Sequence, residues 1–184
     1  MLKEIETEYK YLLSVEQFQE VLAKCKMKFS FSEHKLQANY YYDTDDNTLN
    51  SEKITVRIRQ QHSAMKLQIK KHREFDNGLS TSDEYSEKID TLPSFMRIPD
   101  ISDNMFLKGV LVTERKTFFF GRNSSIGFDE NMYLGICDYE VEIELDERDT
   151  EDALSIINYL GLVQKPIESK SERFFRKLEA MKSE

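Results

Sequence analysis

The sequence predicts an α+β protein in which one antiparallel sheet of about eight strands is flanked by helices near its beginning and end. Three observations carry this. Segments rich in Val, Ile, Tyr, Phe and Thr follow one another along the chain, strand after strand, which favours antiparallel pairing over βαβ units. Helical periodicity is confined to the regions after the first strand and after the last. Six glycines and three prolines in 184 residues leave no linker and no low-complexity tract, so residues 1–184 read as a single domain.

Taken in order, the first strand runs from Ile5 to Leu12. Ser14-Val15-Glu16-Gln17 is a capping box, because the Ser14 hydroxyl can accept from the Gln17 amide while the Gln17 side chain reaches back. Phe18, Leu22 and Cys25 follow on one helical face. Strands are expected over Gln37 to Asp43, Lys53 to Gln60, Lys66 to His72, Glu84 to Ile89, Gly109 to Phe120, Ser125 to Glu130 and Tyr139 to Asp146. The stretch Glu74 to Lys108, with its Asn77-Gly78 pair and two prolines, reads as a hairpin turn, a strand and a long connection. Thr150 opens a second helix with Ala153, Leu154, Ile157 and Leu160 inward and Gly161 as its stop. Ser169 with Glu172 caps a C-terminal helix that carries Phe174, Leu178 and Met181.

The strands sort charge by sign. Glu4, Glu6, Glu8 and Lys10 share a face of the first, and Asp138, Glu140, Glu142 and Glu144 share a face of the last. Arg57 and Arg59 share a face, as do Lys66, Gln68 and Lys70, and Thr113, Arg115 and Thr117. The opposite faces carry Ile54, Val56 and Ile58, or Leu67 and Ile69, or Val141, Ile143 and Leu145. A charged strand face is ordinarily a solvent face, but solubility is better served by mixed signs. Like charges ~7 Å apart along a strand also need compensation. A sheet closed with these faces inward would hold divalent cations on its acidic rows and a polyanion on its basic rows. Carboxylate oxygens suit Mg²⁺ or Mn²⁺, and arginine forks suit phosphate.

Composition narrows the class. A net charge of −8 argues against a general nucleic-acid or membrane-surface binder. No apolar run approaches the ~18 residues of a membrane span, and Met1 to Glu6 has no signal-peptide core. Cys25 and Cys137 form no CxxC and read as reduced, partly buried thiols. A cytoplasmic location is expected. His34, His62 and His72 show no metal-ligand spacing and read as loop or surface residues. Tyr40-Tyr41-Tyr42 reads as packing.

The opening Glu6-Thr7-Glu8-Tyr9-Lys10 resembles the signature of the CYTH superfamily, the triphosphate tunnel metalloenzymes. Supporting pieces follow in the family's order: Tyr42-Asp43-Thr44, Arg57-Ile58-Arg59, Leu67-Gln68-Ile69-Lys70, Thr113-Glu114-Arg115, Phe128-Asp129, Glu140-Val141-Glu142 and Lys170-Ser171-Glu172-Arg173. Together they cover nearly the whole chain, and the start is similar to the small single-domain bacterial branch. Glu4 and Glu6 offer an earlier register, but the later one sets Lys10 in place of the family's lysine.

The resemblance implies an eight-stranded antiparallel β-barrel, a tunnel that takes Mg²⁺ or Mn²⁺ and a triphosphate. Glu6, Glu8, Glu140, Glu142 and Asp129 would be metal ligands. Arg57, Arg59, Lys66, Lys70, Arg115, Lys170 and Arg173 would bind phosphate. Lys10 and Glu8 would act at the water or the substrate. Glu84, with Glu87 as a rival, is the candidate acidic residue of the middle strand. The implied function is metal-dependent hydrolysis of a triphosphate, inorganic tripolyphosphate being favoured because the absence of Trp removes the best residue for stacking a ring. Alternatives are a class IV-like adenylate cyclase and a non-catalytic module that binds polyphosphate or a nucleotide polyphosphate. The expected partner is a small triphosphate, with no nucleic-acid polymer and no membrane, for a monomer or homodimer. The first turn of the C-terminal helix, with Lys170 and Arg173, is expected to close one end of the tunnel.

Overall fold

The computed structural model describes residues 1–73, 79–165 and 167–182, without the side chains of Asp103 and Glu147. The Asn77-Gly78 turn lies outside the described residues. The strands are β1 (Leu2–Leu13), β2 (Phe31–Asp43), β3 (Ile54–Gln61), β4 (Ala64–His72), β5 (Leu79–Ile89), β6 (Phe95–Ile98), β7 (Ser102–Phe120), β8 (Ser124–Tyr133) and β9 (Ile136–Glu144). The helices are α1 (Val15–Lys28), α2 (Thr48–Ser51), α3 (Thr150–Leu160) and α4 (Lys170–Lys182).

The sheet order is β2-β3-β4-β5-β1-β9-β8-β7-β6, and β2 also pairs with β7. Eight strands therefore close into an antiparallel barrel, with β6 added to β7 outside the ring. Alternation does the rest, because on most strands one face is apolar and turned outward while the other carries the sorted charges and is turned inward. The outward residues Tyr11, Phe118, Phe128, Val141 and Ile143 are covered by Phe18, Val21, Leu22 and Cys25 of α1 and by Ala153, Ile156, Ile157 and Leu160 of α3. On the other side, Val56, Ile58 and Ile69 pack with Tyr42, Leu49 and Met105, and with Met96 and Ile98 of β6. Burial of these two apolar coats, at roughly 25 cal/mol per Å², is the main force that holds a polar tunnel closed.

The structure corrects several expectations. The connection after Ile89 contains β6, and β7 begins at Ser102 rather than Gly109. Met96, Ile98 and Met105 there are needed to cover the β3–β4 face. In α3 the buried face uses Ile156, while Leu154 is 46% exposed, because a stripe at 153, 156, 157 and 160 fits the helical period better. In α4, Phe174 and Phe175 are buried and Met181 is exposed. Cys137 is exposed, whereas Cys25 is buried and its thiol is pushed up to about 12 by burial. Both predicted capping boxes are present: Ser14 with Gln17, and Ser169 with Glu172 at 2.8 and 3.3 Å.

The α4 helix enters the barrel end. Phe174 and Phe175 pack against the inward-facing Tyr41, Leu111 and Tyr133. Gly109 makes this possible, because a Cβ there would meet the Phe174 ring at 2.9 Å. At this end of the barrel the packing residues are thus the aromatics Phe174 and Phe175, and of the basic first turn expected to close the tunnel and complete a phosphate site, Lys170 lines the cavity but Arg173 does not.

Candidate active site

Inside the barrel lies a cavity of about 220 Å³ whose lining includes Glu4, Glu6, Glu8, Lys10, Arg57, Arg59, Lys70, Glu84, Arg115, Glu142, Glu144 and Lys170. It is built from strand faces by register. On β1, Glu4, Glu6 and Glu8 stand opposite Glu84, Ser82 and Ser80 of β5, and Glu8 and Lys10 stand opposite Glu144 and Glu142 of β9. Arg59 of β3 stands opposite Asn39, and its Nε donates to Asn39 Oδ1 at 3.0 Å. The Arg115 guanidinium lies across β8 over Gly127, where a Cβ would only touch it at 3.4 Å.

Two charge states of wall result. The wall under α4 is saturated. Asp129 is fully buried, accepts from Arg115 Nε at 2.6 Å and meets Lys170 at 2.8 Å. Lys170 also reaches Glu140 at 2.8 Å and Glu142 at 2.6 Å, and Arg115 donates to Glu142 as well. Arg173 bridges Asp138 and Glu140 at 2.9 and 2.8 Å. Burial opposes these charges, but their partners prevail: the carboxyls of Asp129 and Glu142 are held below, and the Lys170 ammonium above, their usual values. Oε1 of Glu140 is buried without a hydrogen-bond partner.

The opposite wall has surplus charge of each sign. Lys70 serves both Glu6 and Glu8, and Lys10 adds to Glu8 at 2.9 Å. Burial disfavours the Glu6 anion, but Lys70 and Lys10 hold its carboxyl down to about 2. Arg57 is only 3.9 Å from Glu84, and among the described residues Arg59 has no ion pair. Burial, with Arg57 and Arg115 nearby, pushes Arg59 down to about 10. Glu144 also has no ion pair among the described residues, and burial with Glu6 and Glu8 beside it pushes its carboxyl up to about 7. Its side chain is solvent-exposed, so it marks the wet end of this wall.

The sequence-predicted residues are distributed unevenly over this plan. Glu6, Glu8, Lys10, Arg57, Arg59, Lys70, Arg115, Glu142 and Lys170 meet in the cavity. Asp129 and Glu140 lie behind it, locked by Arg115, Lys170 and Arg173. Arg173 is 3% exposed and does not line the cavity, and Lys66 is exposed near the β3–β4 hairpin. Glu84 faces inward, while Glu87 pairs with the outward Leu67. His72 corrects the expectation of a surface residue. It ends β4 inside the tunnel near Thr55, and burial with Lys70 and Lys10 pushes its imidazole down to about 3. Its alternation with Lys70 and Gln68 was the available signal. Glu144 was legible as the third glutamate of the β9 face. Among the described residues, no three acidic, histidine or cysteine side chains converge at metal-binding spacing, the buried Glu8, Asp129, Glu140 and Glu142 being turned to cations.

Comparison with known proteins agrees with this architecture. A proposed adenylate cyclase from Bacillus halodurans superposes with a TM-score of 0.73 at 28% identity, covering 95% of this chain and 100% of its own. A proposed adenylyl cyclase from Hippeastrum, HpAC1, described as having a dominant triphosphatase activity, has a TM-score of 0.74 at 23% identity, covering 93% and 95%. The Mimivirus capping enzyme triphosphatase shares the fold at a TM-score of 0.58 and 12% identity, covering 85% and 89%. No curated protein matches the sequence. No described helix is long and apolar enough to cross a membrane. The CYTH domain model matches residues 4–175, and with its signature glutamates and arginines lining one closed barrel, the chain belongs to the CYTH family.

Proposed function

We propose that the protein is a divalent-metal-dependent triphosphatase acting on inorganic tripolyphosphate. The observation that carries this is surplus charge of both signs on the wall opposite α4: Arg57 and Arg59, loosely paired or without an ion pair among the described residues, and Glu144, likewise without one, beside Glu6 and Glu8, which share Lys70. A polyanion bridged to divalent cations neutralises both at once, and either alone would leave one sign uncompensated. The cavity, at about 220 Å³, is smaller than the usual 300–1,000 Å³ of drug-sized ligand sites, which suits a short phosphate chain.

The donor set fits a hard cation. It is all oxygen, and the raised Glu144 carboxyl marks an excess of negative charge beside Glu6 and Glu8. Glu6, Glu8 and Glu142, with Glu144, would hold Mg²⁺ or Mn²⁺; Asp129 and Glu140 keep their places as partners of the α4 cations. The bound metal would supply charge neutralisation and a more acidic water. The chain's own groups do the positioning. Arg57, Arg59 and Arg115 grip non-bridging oxygens, with forks suited to phosphate. Lys70 exchanges a carboxylate for a phosphate contact as the substrate enters, while Lys170 keeps its carboxylates and adds its charge at the α4 end. Lys10, held between Glu8 and Glu142, faces the position of the attacking water. Phosphoryl transfer needs little else, since its barrier is lowered mainly by alignment and charge.

The test is phosphate release from tripolyphosphate, ATP, GTP and thiamine triphosphate with Mg²⁺ or Mn²⁺. Tripolyphosphate should be the best substrate, and EDTA should abolish turnover until metal is restored. Undiminished release in excess EDTA would remove the metal from the mechanism. The description of the Bacillus halodurans relative favours one further arm, a cyclic AMP assay with ATP. Cyclic AMP as the main product would replace the proposal.

A further inference from the structure

We propose that the hydroxyl of Tyr41 is a substrate-binding donor, held without a protein partner until a phosphate chain enters the tunnel; this rests on the polyphosphate reading above. Tyr41 is fully buried, and its hydroxyl has no hydrogen-bond partner. The other tyrosines nearby are treated differently. Tyr42 donates to the Pro93 carbonyl at 2.5 Å, Tyr133 to Asp138 at 2.7 Å and Tyr40 to Gln60 at 3.3 Å. A buried hydroxyl left unpaired is costly, so native proteins rarely keep one without use. Packing alone would be served by phenylalanine, which this chain uses at 174 and 175 in the same cluster.

Its position fits the role. Tyr41 lines the cavity with Thr55, Arg57, Lys170 and Ser171. It is the direct cross-strand neighbour of Arg57, so both side chains project to the same face. The ring is clamped by Phe174 and Phe175, at centroid distances of 5.0 and 6.1 Å, and this fixes where the hydroxyl can point. The phosphoryl group that Arg57 grips at the α4 end is therefore the acceptor. A neutral donor suits it there, because Lys170 and Arg57 already supply charge and a hydroxyl adds direction.

The test is Tyr41→Phe, which removes one oxygen and keeps the ring. Binding of tripolyphosphate with Mg²⁺ is measured by calorimetry, and melting temperature is read with and without that ligand. The dissociation constant should rise about tenfold, the scale of a hydrogen bond to a charged group. The ligand-induced rise in melting temperature should shrink, while the ligand-free variant melts no lower than wild type. Wild-type binding with an unchanged constant in the variant overturns the inference. So does a lower melting temperature of the ligand-free variant, which would show a structural partner for the hydroxyl. If wild type itself does not bind tripolyphosphate, the polyphosphate reading fails instead.

Discussion

The two walls of this tunnel contain similar residues and handle them in opposite ways. Under α4, each carboxylate of Asp129, Glu140 and Glu142 meets at least two cations from Arg115, Lys170 and Arg173 or Lys10. Across from it, Lys70 is shared by two glutamates, Arg57 is loosely held, and Arg59 and Glu144 have no ionic partner among the described residues. Saturation makes the first wall a support. A buried, multiply paired lattice fixes geometry and tolerates the loss of no member. Surplus makes the second wall a binding surface, because charges without partners stabilise whatever supplies them. The difference teaches that a charged residue inside the barrel is to be judged by its neighbours, not by its presence in a motif.

The largest effect that could break this comparison is expected at Arg173. Replacing it with Met leaves buried Glu140 with Lys170 alone and half-buried Asp138 without an ion pair among the described residues, at a cost of about 3 kcal/mol, the low end for breaking a buried pair. At roughly 2–4 °C per kcal/mol for a chain of this size, the melting temperature should fall by on the order of 10 °C. Tripolyphosphate affinity, measured well below that temperature, should change little, because Arg173 does not line the cavity. A variant that melts normally yet loses binding would put Arg173 back among the phosphate ligands and dissolve the contrast between the walls.

Arg59 should behave in the reverse sense. Arg59→Met relieves repulsion with Arg57 and Arg115 and breaks one neutral-acceptor hydrogen bond, so melting should hold within about 2 °C. Tripolyphosphate binding should weaken ten- to a hundredfold, the scale of about 1.5–3 kcal/mol for a hydrogen bond to a charged group. Calorimetric titration of both variants side by side gives the two-way contrast. Equal losses of stability and affinity in the two would show one undifferentiated charge network.

The barrel was legible in the sequence because alternation is a strong signal. Ile54, Val56 and Ile58 against Thr55, Arg57 and Arg59 fix which face of β3 is coated and which is wet. The capping boxes at Ser14 and Ser169 set two helix starts for the same reason, since their chemistry is local. What the sequence hides is pairing. Nothing in the order of residues says that Lys170 and Arg173 of α4 would lock Glu140, or that Glu144 would be left to Glu6 and Glu8. Those facts depend on how deeply α4 inserts, which is set by Gly109 making room for Phe174, a contact between residues 65 positions apart in the chain. The weak signals were short or irregular: the four-residue β6, and His72 at the last position of β4.

The smallest expected effect tests the acidic side of the second wall, through Glu144→Gln. In the ligand-free protein the Glu144 carboxyl is raised from an ordinary 4.5 to about 7 by burial and by Glu6 and Glu8, with Glu142 adding and Arg115 of β7 opposing. A carboxyl raised on folding binds its proton more readily in the native than in the unfolded state. Its favourable contribution is therefore complete below about 4.5 and is lost as pH rises through about 7. The neutral glutamine escapes that loss. Relative to wild type, the variant should melt at the same temperature near pH 4.5 and progressively higher toward pH 8. The gain is roughly 1 kcal/mol, since the exposed side chain is screened by solvent. Addition of Mg²⁺ should reverse the order, raising the melting temperature of wild type more than that of the variant, because the repulsion relieved by the mutation is what a bound cation would otherwise relieve. A variant that gains nothing at pH 8 and responds fully to Mg²⁺ would mean that Glu144 is an ordinary surface carboxylate and that the surplus on this wall ends at Glu8.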